Sequence, residues 1–499
     1  MIAILLALVL VLYCSYICWT CSFWQRQGVK GPYGFPIFGN MFEFFTGRKH
    51  YGEVYQKIYN AYPHLPYIGI YRLFNEPTIL LRNLDMVKEV MIRSFQHFQD
   101  NVLWVDPKRD PIMCCNPFIA KGEKWKNMRA EILPIFTPNK VKASFPHIKA
   151  ICRKLEEYVE KNLDESFEAK DLFSKYTIDV VASAAYGLDA ESLTNASSEF
   201  AELVESLFLP NPMSLIETIA LLFSPTLGKI IKFHYVPSRV QQWLSKIINT
   251  VLKKRLDTAM STNTSSDFIQ WLLEAKQKSN ESVDALTIVG HCGTFLFEGF
   301  ETSSSLMAFT LFEYARNPIV QSRVLQEIDH VLPRHDNEIS YAALQEMVYF
   351  EASLYESLRM HPPMQALLKH CTKSFKLAPQ ATGGREYVVD EGTVFVVPVR
   401  AIHYDPDLYP EPSVYKPERF IESSERQKLS CAFLGFGEGP RMCPGMRFGL
   451  AQTKAGLVTL LANYSVHLSH QSKDSMELAP TTFLTVAKHG IWINFKKRR

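Results

Sequence analysis

The chain has no large excess of either charge: 54 Lys and Arg stand against 51 Asp and Glu, a net charge of +3. There is no clustered basic stripe, which argues against a nucleic-acid partner. The short basic tail Lys496-Lys497-Arg498-Arg499 reads as a solvated terminus. The sequence also lacks Pro/Ser/Gly linkers, low-complexity tracts and internal repeats. That excludes repeat arrays and favours one unusually large domain behind a short N-terminal segment. Its ten cysteines lack the spacing of a disulfide framework. Three of them (Cys14, Cys18, Cys21) lie in the apolar N-terminus, and the body holds no C-x-x-C pair. Such usage fits free thiols in a reducing compartment, with at most one or two doing chemistry.

The next absence is of charge in one place. Ile2 to Trp24 contains no charged side chain. As a helix at 1.5 Å per residue, a run of that length covers the ~30 Å hydrocarbon core of a bilayer. A cleaved signal would want a basic start, a shorter apolar stretch and a small-x-small site, and none is evident. Residues 1–24 therefore read as a retained transmembrane anchor. Trp19 and Trp24 suit the interfacial belt, and Arg26 and Lys30 leave the body on the cytosolic side. The sequons at Asn195, Asn263, Asn280 and Asn463 are then expected to stay unglycosylated. Residues 25–40 contain Lys30-Gly-Pro-Tyr-Gly-Phe-Pro-Ile-Phe-Gly-Asn40, where two prolines and three glycines predict a stiff elbow. The body is 41–499.

In the body, Tyr67–Leu73 and Thr78–Leu81 read as a β-hairpin around Asn75-Glu-Pro. Helical period runs through Met86–Phe95, Trp125–Ile135, Phe145–Lys161, Ser174–Ala185 and Arg239–Met260. A long helix is expected from Ser282 to about Arg316, capped by Ser282 or Asp284 and stopped by Pro318. Beyond Ser374 the pattern turns extended, at Tyr387–Val389 and Thr393–Val399. The class is mainly α with minor β. The apolar stretch Leu207–Val236, with three prolines, reads equally as a greasy lid or as buried helices.

The most informative stretch is Phe436-Gly-Glu-Gly-Pro-Arg-Met-Cys-Pro-Gly445. Glycines at 437, 439 and 445 allow tight turns and close approach of a flat cofactor. Arg441 offers a bidentate fork for a cofactor carboxylate. A helix starting near Met446 turns its positive end toward the Cys443 thiolate. An isolated cysteine in a loop is ordinarily an inert thiol. Here, however, Phe436, Gly439, Arg441, Cys443 and Gly445 complete the pattern F-x-x-G-x-R-x-C-x-G. This resembles the haem-ligand signature of the cytochrome P-450 superfamily. The resemblance implies the fold of that family, an α-helical haem domain with small β-sheets, and Cys443 as ligand to the iron of haem b. Further motifs extend it. Glu356-Ser-Leu-Arg359 resembles E-x-x-R, and Pro417-Glu-Arg-Phe420 the segment that Arg359 engages. Glu356, Arg359 and Arg419 are then a buried ionic lock behind the haem. Trp125-Lys-Asn-Met-Arg129 resembles W-x-x-x-R, whose indole N–H and guanidinium suit a propionate.

On the long helix, Phe297-Glu-Gly-Phe-Glu-Thr-Ser303 is similar to the family's A/G-G-x-D/E-T. Gly299 removes bulk so that the helix can approach the haem. Thr302 offers a hydroxyl that loosens the helix and holds water or O₂. Glu301 is the acid end of a proton relay. Glu298 stands where a small residue is common. The fatty-acid ω-hydroxylase branch has a similar Glu that esterifies the haem, whereas Phe300-Glu-Thr-Ser-Ser resembles insect microsomal members. Glu298 is thus either a covalent haem anchor or a pocket acid that orients substrate. Two further departures concern the propionates: Asn101 stands near a place where relatives often have Arg, and Lys369 stands where Arg is common.

Taken together, the resemblance implies a haem-thiolate monooxygenase of the endoplasmic reticulum membrane. It would hydroxylate or epoxidise a lipophilic small molecule (xenobiotic, hormone, steroid or fatty acid) with O₂. Electrons would come from NADPH through a flavoprotein reductase, with a b5-type cytochrome as a second donor. Two alternatives remain at this point: a haem-thiolate isomerase that needs no reductase, and a non-catalytic haem-binding protein. Isomerases usually lose the acid–Thr pair, and this chain keeps Glu301 and Thr302.

Overall fold

The structure is a computed structural model. It describes residues 2–195, 197–206, 216, 219, 222–223, 230, 235–258, 266–278, 284–380, 385–421 and 430–498. The chain opens on helix α1 (Ile2–Cys21). Among the described residues no helix is long and apolar enough to cross a membrane. The sequons Asn263 and Asn280 and the cap candidate Ser282 lie outside the described residues, as does most of Leu207–Val236, so the lid reading does too.

One early expectation needs correction. Trp24 is a core residue rather than an interfacial one. It is fully buried, and its Nε1 donates to Ile70 O at 2.8 Å. The 25–40 elbow is fastened to the body. A side chain at Gly31 would meet Gly69 O at 1.9 Å, so only glycine lets the two backbones touch there. Gly69 N in turn donates to Lys30 O at 3.0 Å. The indole and these close contacts tie the elbow onto a hairpin of β1 (Tyr67–Tyr71) and β2 (Pro77–Leu81), paired from Tyr67↔Leu81 to Tyr71↔Pro77 as the sequence predicted.

The expected helix at Met86–Phe95 breaks into an α-turn (Leu84–Lys88), a π-turn (Glu89–Arg93) and a 3₁₀ turn (Phe95–His97). Next come β3 (Asp100–Asn101) and α2 (Gly122–Ile132). Helix α3 (Pro138–Lys161) starts earlier than its apolar period indicated. Thr137 is its N-cap residue and Pro138 occupies the first turn, where a missing N–H costs nothing. β4 (Phe167–Glu168) leads into α4 (Ala169–Val181), followed by α5 (Ser238–Thr258) and α6 (Phe268–Lys278).

The central element is α7 (Ala285–Arg316), a 32-residue helix. Asp284 caps it, accepting from Leu286 N and Thr287 N. The stop is Asn317; Pro318 opens α8 (Pro318–Val331) from its first position instead of ending a chain segment. α7 is buried for most of its length and packs on α4, α5 and α9 (Val348–Met360). It also packs on the last long helix, α10 (Met446–Asn463).

The remaining strands are β5 (Leu367–His370), β6 (Phe375–Leu377), β7 (Tyr387–Val389), β8 (Val394–Val397), β9 (Tyr464–Leu468) and β10 (Trp492–Lys497). They form sheets of order β1-β2-β8-β5-β3, β4-β10-β9 and β6-β7. The class is mainly helical with small sheets, as expected. One apolar core runs from Trp24 to Phe495.

Candidate active site

Cys443 lies in the loop just before α10. Gly437 and Gly439 both have φ of +72°, the left-handed region where side chains are strained. A Cβ at Gly439 would meet Met91 O, in the π-turn, at 2.2 Å. The close approach that Gly439 permits is therefore to protein backbone. Cys443 N donates to Phe436 O at 2.8 Å, closing the loop on itself. Burial and the nearby charge of Glu298 push the Cys443 thiol up to about 11, against a hydrogen bond from Gly445 and the charge of Arg129. Left to the protein alone it is a thiol. A bound metal cation reverses that preference by deprotonating it outright. Among the described residues no group of three or more His, Cys, Asp or Glu could hold a metal.

Glu298 faces Cys443 from α7. Its neighbours Phe295, Leu296, Phe297 and Phe300 are buried, while Glu298 is open and Thr302 half-buried. Desolvation by the surrounding protein pushes the Glu298 carboxyl up to about 7. Asn116 Nδ2 donates to it at 2.7 Å and opposes the rise. Thr302 Oγ1 donates to Glu298 O at 2.7 Å, the mid-helix back-bond expected of this threonine. One placement differs from expectation. The Cβ that Gly299 lacks would point at Val181 Cγ2, 3.2 Å away. Its smallness serves the packing of α7 on α4 rather than approach to a cofactor. Glu301 is buried in an ion pair: it accepts from Lys170 Nζ, on α4, at 2.7 Å.

At the opposite edge of the site stand the proposed propionate donors. Trp125 Nε1 is a buried donor with no partner among the described residues. Such orphans are costly and mark a missing acceptor, so Trp125 fits a carboxylate there. Arg441 lies over the Trp125 ring at 4.4 Å. It was expected to fork onto a cofactor carboxylate, yet it donates to Gln99 O, Pro117 O, Ala120 O and Asp100 Oδ1. Arg129 Nη2 likewise donates to Met442 O at 2.7 Å, bracing the cysteine loop. The two departures turn out to be partners. Asn101 and Lys369 are opposite each other in the β3–β5 ladder, and Lys369 Nζ donates to Asn101 Oδ1 at 2.9 Å. Burial first, then the charge of Arg441, lowers Lys369 to about 7. No single-sequence signal could pair positions so far apart.

Behind the loop, the lock assembles as expected. Arg359 Nε and Nη2 donate to Glu356 at 2.7 and 2.8 Å, and Arg419 Nε donates at 3.3 Å. Sequence reasoning missed His403. Its Nδ1–H donates to Arg359 O at 2.9 Å, and Nε2 accepts from Leu434 N at 2.8 Å. It thereby couples the lock to the segment leading into the cysteine loop. Burial, aided by Arg359, lowers His403 to about 3. Folding therefore excludes a proton that the unfolded chain takes up below about pH 6.5. Stability is unaffected above that pH and falls by about 1.4 kcal/mol per unit as pH drops from 6.5 toward 3. His403→Gln should remove one proton's worth of that slope, read from urea midpoints at several pH values.

A helical domain that presents one cysteine, braced by an ionic lock, beneath an acid–Thr helix defines a haem-thiolate site. A family model described as Cytochrome P450 matches residues 29–493. The chain is 44% identical over 489 residues, 96% of each chain, to probable cytochrome P450 308a1 of Drosophila melanogaster. It is 31% identical over 496 residues, 95% of each, to probable cytochrome P450 6a14 of the same insect. It is 28% identical over 478 residues to cytochrome P450 6j1 of Blattella germanica, covering 95% of this chain and 93% of that one. The chain belongs to the cytochrome P450 family, whose members bind haem and are haem-thiolate monooxygenases acting on small molecules.

Proposed function

We propose that this enzyme hydroxylates or epoxidises a lipophilic compound, with electrons delivered from NADPH by a flavoprotein reductase and, as a second donor, a b5-type cytochrome. The observation that carries the reading is the pairing on α7 of a cleft-facing Thr302 with an ion-paired Glu301. Haem, when bound, supplies the redox chemistry of oxygen insertion. Cys443 would hold it, with Phe436, Gly439 and Gly445 shaping the loop. Trp125 holds a carboxylate edge through Nε1, while Arg129, Arg441 and Lys369 provide positive charge around it. Thr302 Oγ1 holds a proton at the cleft. Glu301 exchanges protons with the outside through Lys170, whose side chain is partly exposed. Phe295, Phe297 and Phe300 keep bulk water out.

The site of work is the endoplasmic reticulum membrane. The uncharged run from Ile2 is the anchor, ending before Trp24, which belongs to the body. Exposed apolar groups in the anchor and strap support this reading: Leu8 and Trp19 on α1, then Tyr33, Phe35 and Ile37, with Phe74, whose N–H donates to Ile37 O. Residues 41–499 are the catalytic domain and 25–40 its strap.

Reconstitution with reductase and NADPH is the test. Product should form only with both. Glu301→Gln and Thr302→Ala should each lower product formation about a hundredfold while NADPH oxidation continues, releasing peroxide. Conversion of a peroxide into its own isomer without reductase, both oxygens retained in one product, would instead mark an isomerase. Intact haem with no turnover on any donor would mark a binding protein.

A further inference from the structure

We infer that Gln452, on α10, is a positioning residue for oxygen activation: its carboxamide holds the turn of α7 that carries Glu301 and Thr302, and so fixes that turn against the helix that follows Cys443. The inference rests on the monooxygenase reading and adds to it a residue that acts through α7 alone.

Gln452 lies on the helix that begins as the cysteine loop ends, and it is fully buried. Its Nε2 carries two hydrogens and both are used. One goes to Gly299 O at 2.8 Å, the other to Ser303 Oγ at 2.7 Å. Gly299 and Ser303 flank the acid–Thr pair. Four successive carbonyls of this turn take a side-chain donor: Glu298 O from Thr302, Gly299 O from Gln452, Phe300 O from Ser304 and Thr177, and Glu301 O from Ser304. Such donors draw carbonyls outward and loosen a helix. The Thr302 and Ser304 donors belong to α7 itself. Gln452 and Thr177 come from outside, from α10 and α4, and fix where the loosened turn stands.

Packing alone does not require a glutamine here. Its Oε1 is buried with no partner among the described residues, which costs stability. A methionine would fill the same space without that cost. The amide cannot flip to relieve it, because Oε1 would then face the carbonyl oxygen of Gly299. The helix behind the amide is itself held. Tyr176, on α4, donates its hydroxyl to Gln452 O at 2.9 Å. One turn further along α10, a Cβ at Gly456 would meet Met307 Cε and Tyr176 Cε1, each at 2.7 Å, so only glycine lets α4, α7 and α10 close there. The backbone of α10 is thus fixed, and the Gln452 amide passes that position to the acid–Thr turn.

The holoenzyme with its reductase tests this, with laurate and 7-ethoxycoumarin as lipophilic probes. Gln452→Met keeps the bulk and removes the donor. Gln452→His keeps a ring N–H at a similar reach. In Gln452→Met, product per NADPH should fall about ten- to a hundredfold, with peroxide rising to match. Probe affinity and the thiolate-type visible band of the carbon-monoxide form should stay as in the wild type. The infrared stretch of bound carbon monoxide, a stand-in for O₂, should broaden or shift, because the Thr302 hydroxyl has lost its fixed place. Gln452→His should recover part of both losses. Wild-type coupling and an unchanged infrared band in Gln452→Met overturn the inference. So does a loss of coupling that comes with weaker probe binding, a displaced visible band or shed haem, since the residue then supports the whole site. A folded Gln452→His that recovers neither reading also overturns it. If the wild type oxidises neither probe, the infrared band decides alone. Any of these failures beside a thiolate band and reductase-driven turnover in the wild type removes this inference only. A wild type without that band removes the monooxygenase reading instead.

Discussion

Cys443→Ser is expected to abolish the strongly red-shifted Soret band of the reduced, carbon-monoxide-bound protein and to lower turnover about a thousandfold or more. The substitution is nearly isosteric, so the loop should survive. Its shape comes from the left-handed Gly437 and Gly439, the Cys443 N–H to Phe436 O bond and the Arg129 brace on Met442. None of these uses the sulfur. What is lost is a soft anionic donor. A serine hydroxyl ionises far less readily than a thiol, and here burial and Glu298 already resist a negative charge at this position. The variant should therefore show either a band at the ordinary imidazole-like position or no bound haem. A wild-type band at the thiolate position that persists in Cys443→Ser would remove Cys443 as the ligand.

Arg359→Ala should cost about 3–5 kcal/mol and shed haem, because it takes from the buried Glu356 its two-bonded cation and leaves the charge poorly balanced. Both side chains are fully buried. Arg359 gives two hydrogen bonds to the carboxylate and one, at 2.8 Å, to His403 O. Glu356 Oε1 also accepts from Lys416 N at 2.9 Å. Removing Arg359 leaves only Arg419, at 3.3 Å, to balance the charge. The loss is comparable to a large share of a domain's whole stability, typically about 5–15 kcal/mol. Arg359→Lys should be intermediate, since it keeps the charge but loses the fork. Glu356→Gln with Arg359→Met should cost less than Arg359→Ala alone, because the charge left without its partner is then Arg419, which is less buried than Glu356 and keeps its bond to Glu411 O. Urea midpoints with and without added haemin check all three. A double variant worse than the single would mean that the lock acts by shape rather than by charge.

Much of the site was legible because its parts are local. The cysteine pattern, the E-x-x-R turn and the acid–Thr pair each lie within ten residues, where chain geometry alone sets which groups meet. The hairpin at Tyr67–Leu81 was legible for the same reason. Helix ends were less so. Pro318 was read as a stop but opens α8, since proline is favoured in a first turn as much as it is excluded from an interior.

Other features depended on packing between distant segments. Trp24 looked like a membrane-belt residue because it ends an apolar run, yet the β1–β2 hairpin claims its indole. Gly299 looked like clearance for a cofactor, yet the neighbour it spares is Val181. Asn101 and Lys369 looked like two separate losses, and the ladder joins them. His403, Lys170 and Asn116 had no local signal at all. The amino-acid sequence by itself determined the helical class, the ligand cysteine loop and the family, because hydrophobic period and short motifs are written in adjacent residues. Only the tertiary structure decided which charge each buried group meets: Lys170 for Glu301, His403 beside the lock, and a neutral Asn116 for Glu298. Those partners are set by how helices and strands pack across the core, and Coulomb and hydrogen-bond energies depend on distances that no spacing along the chain specifies.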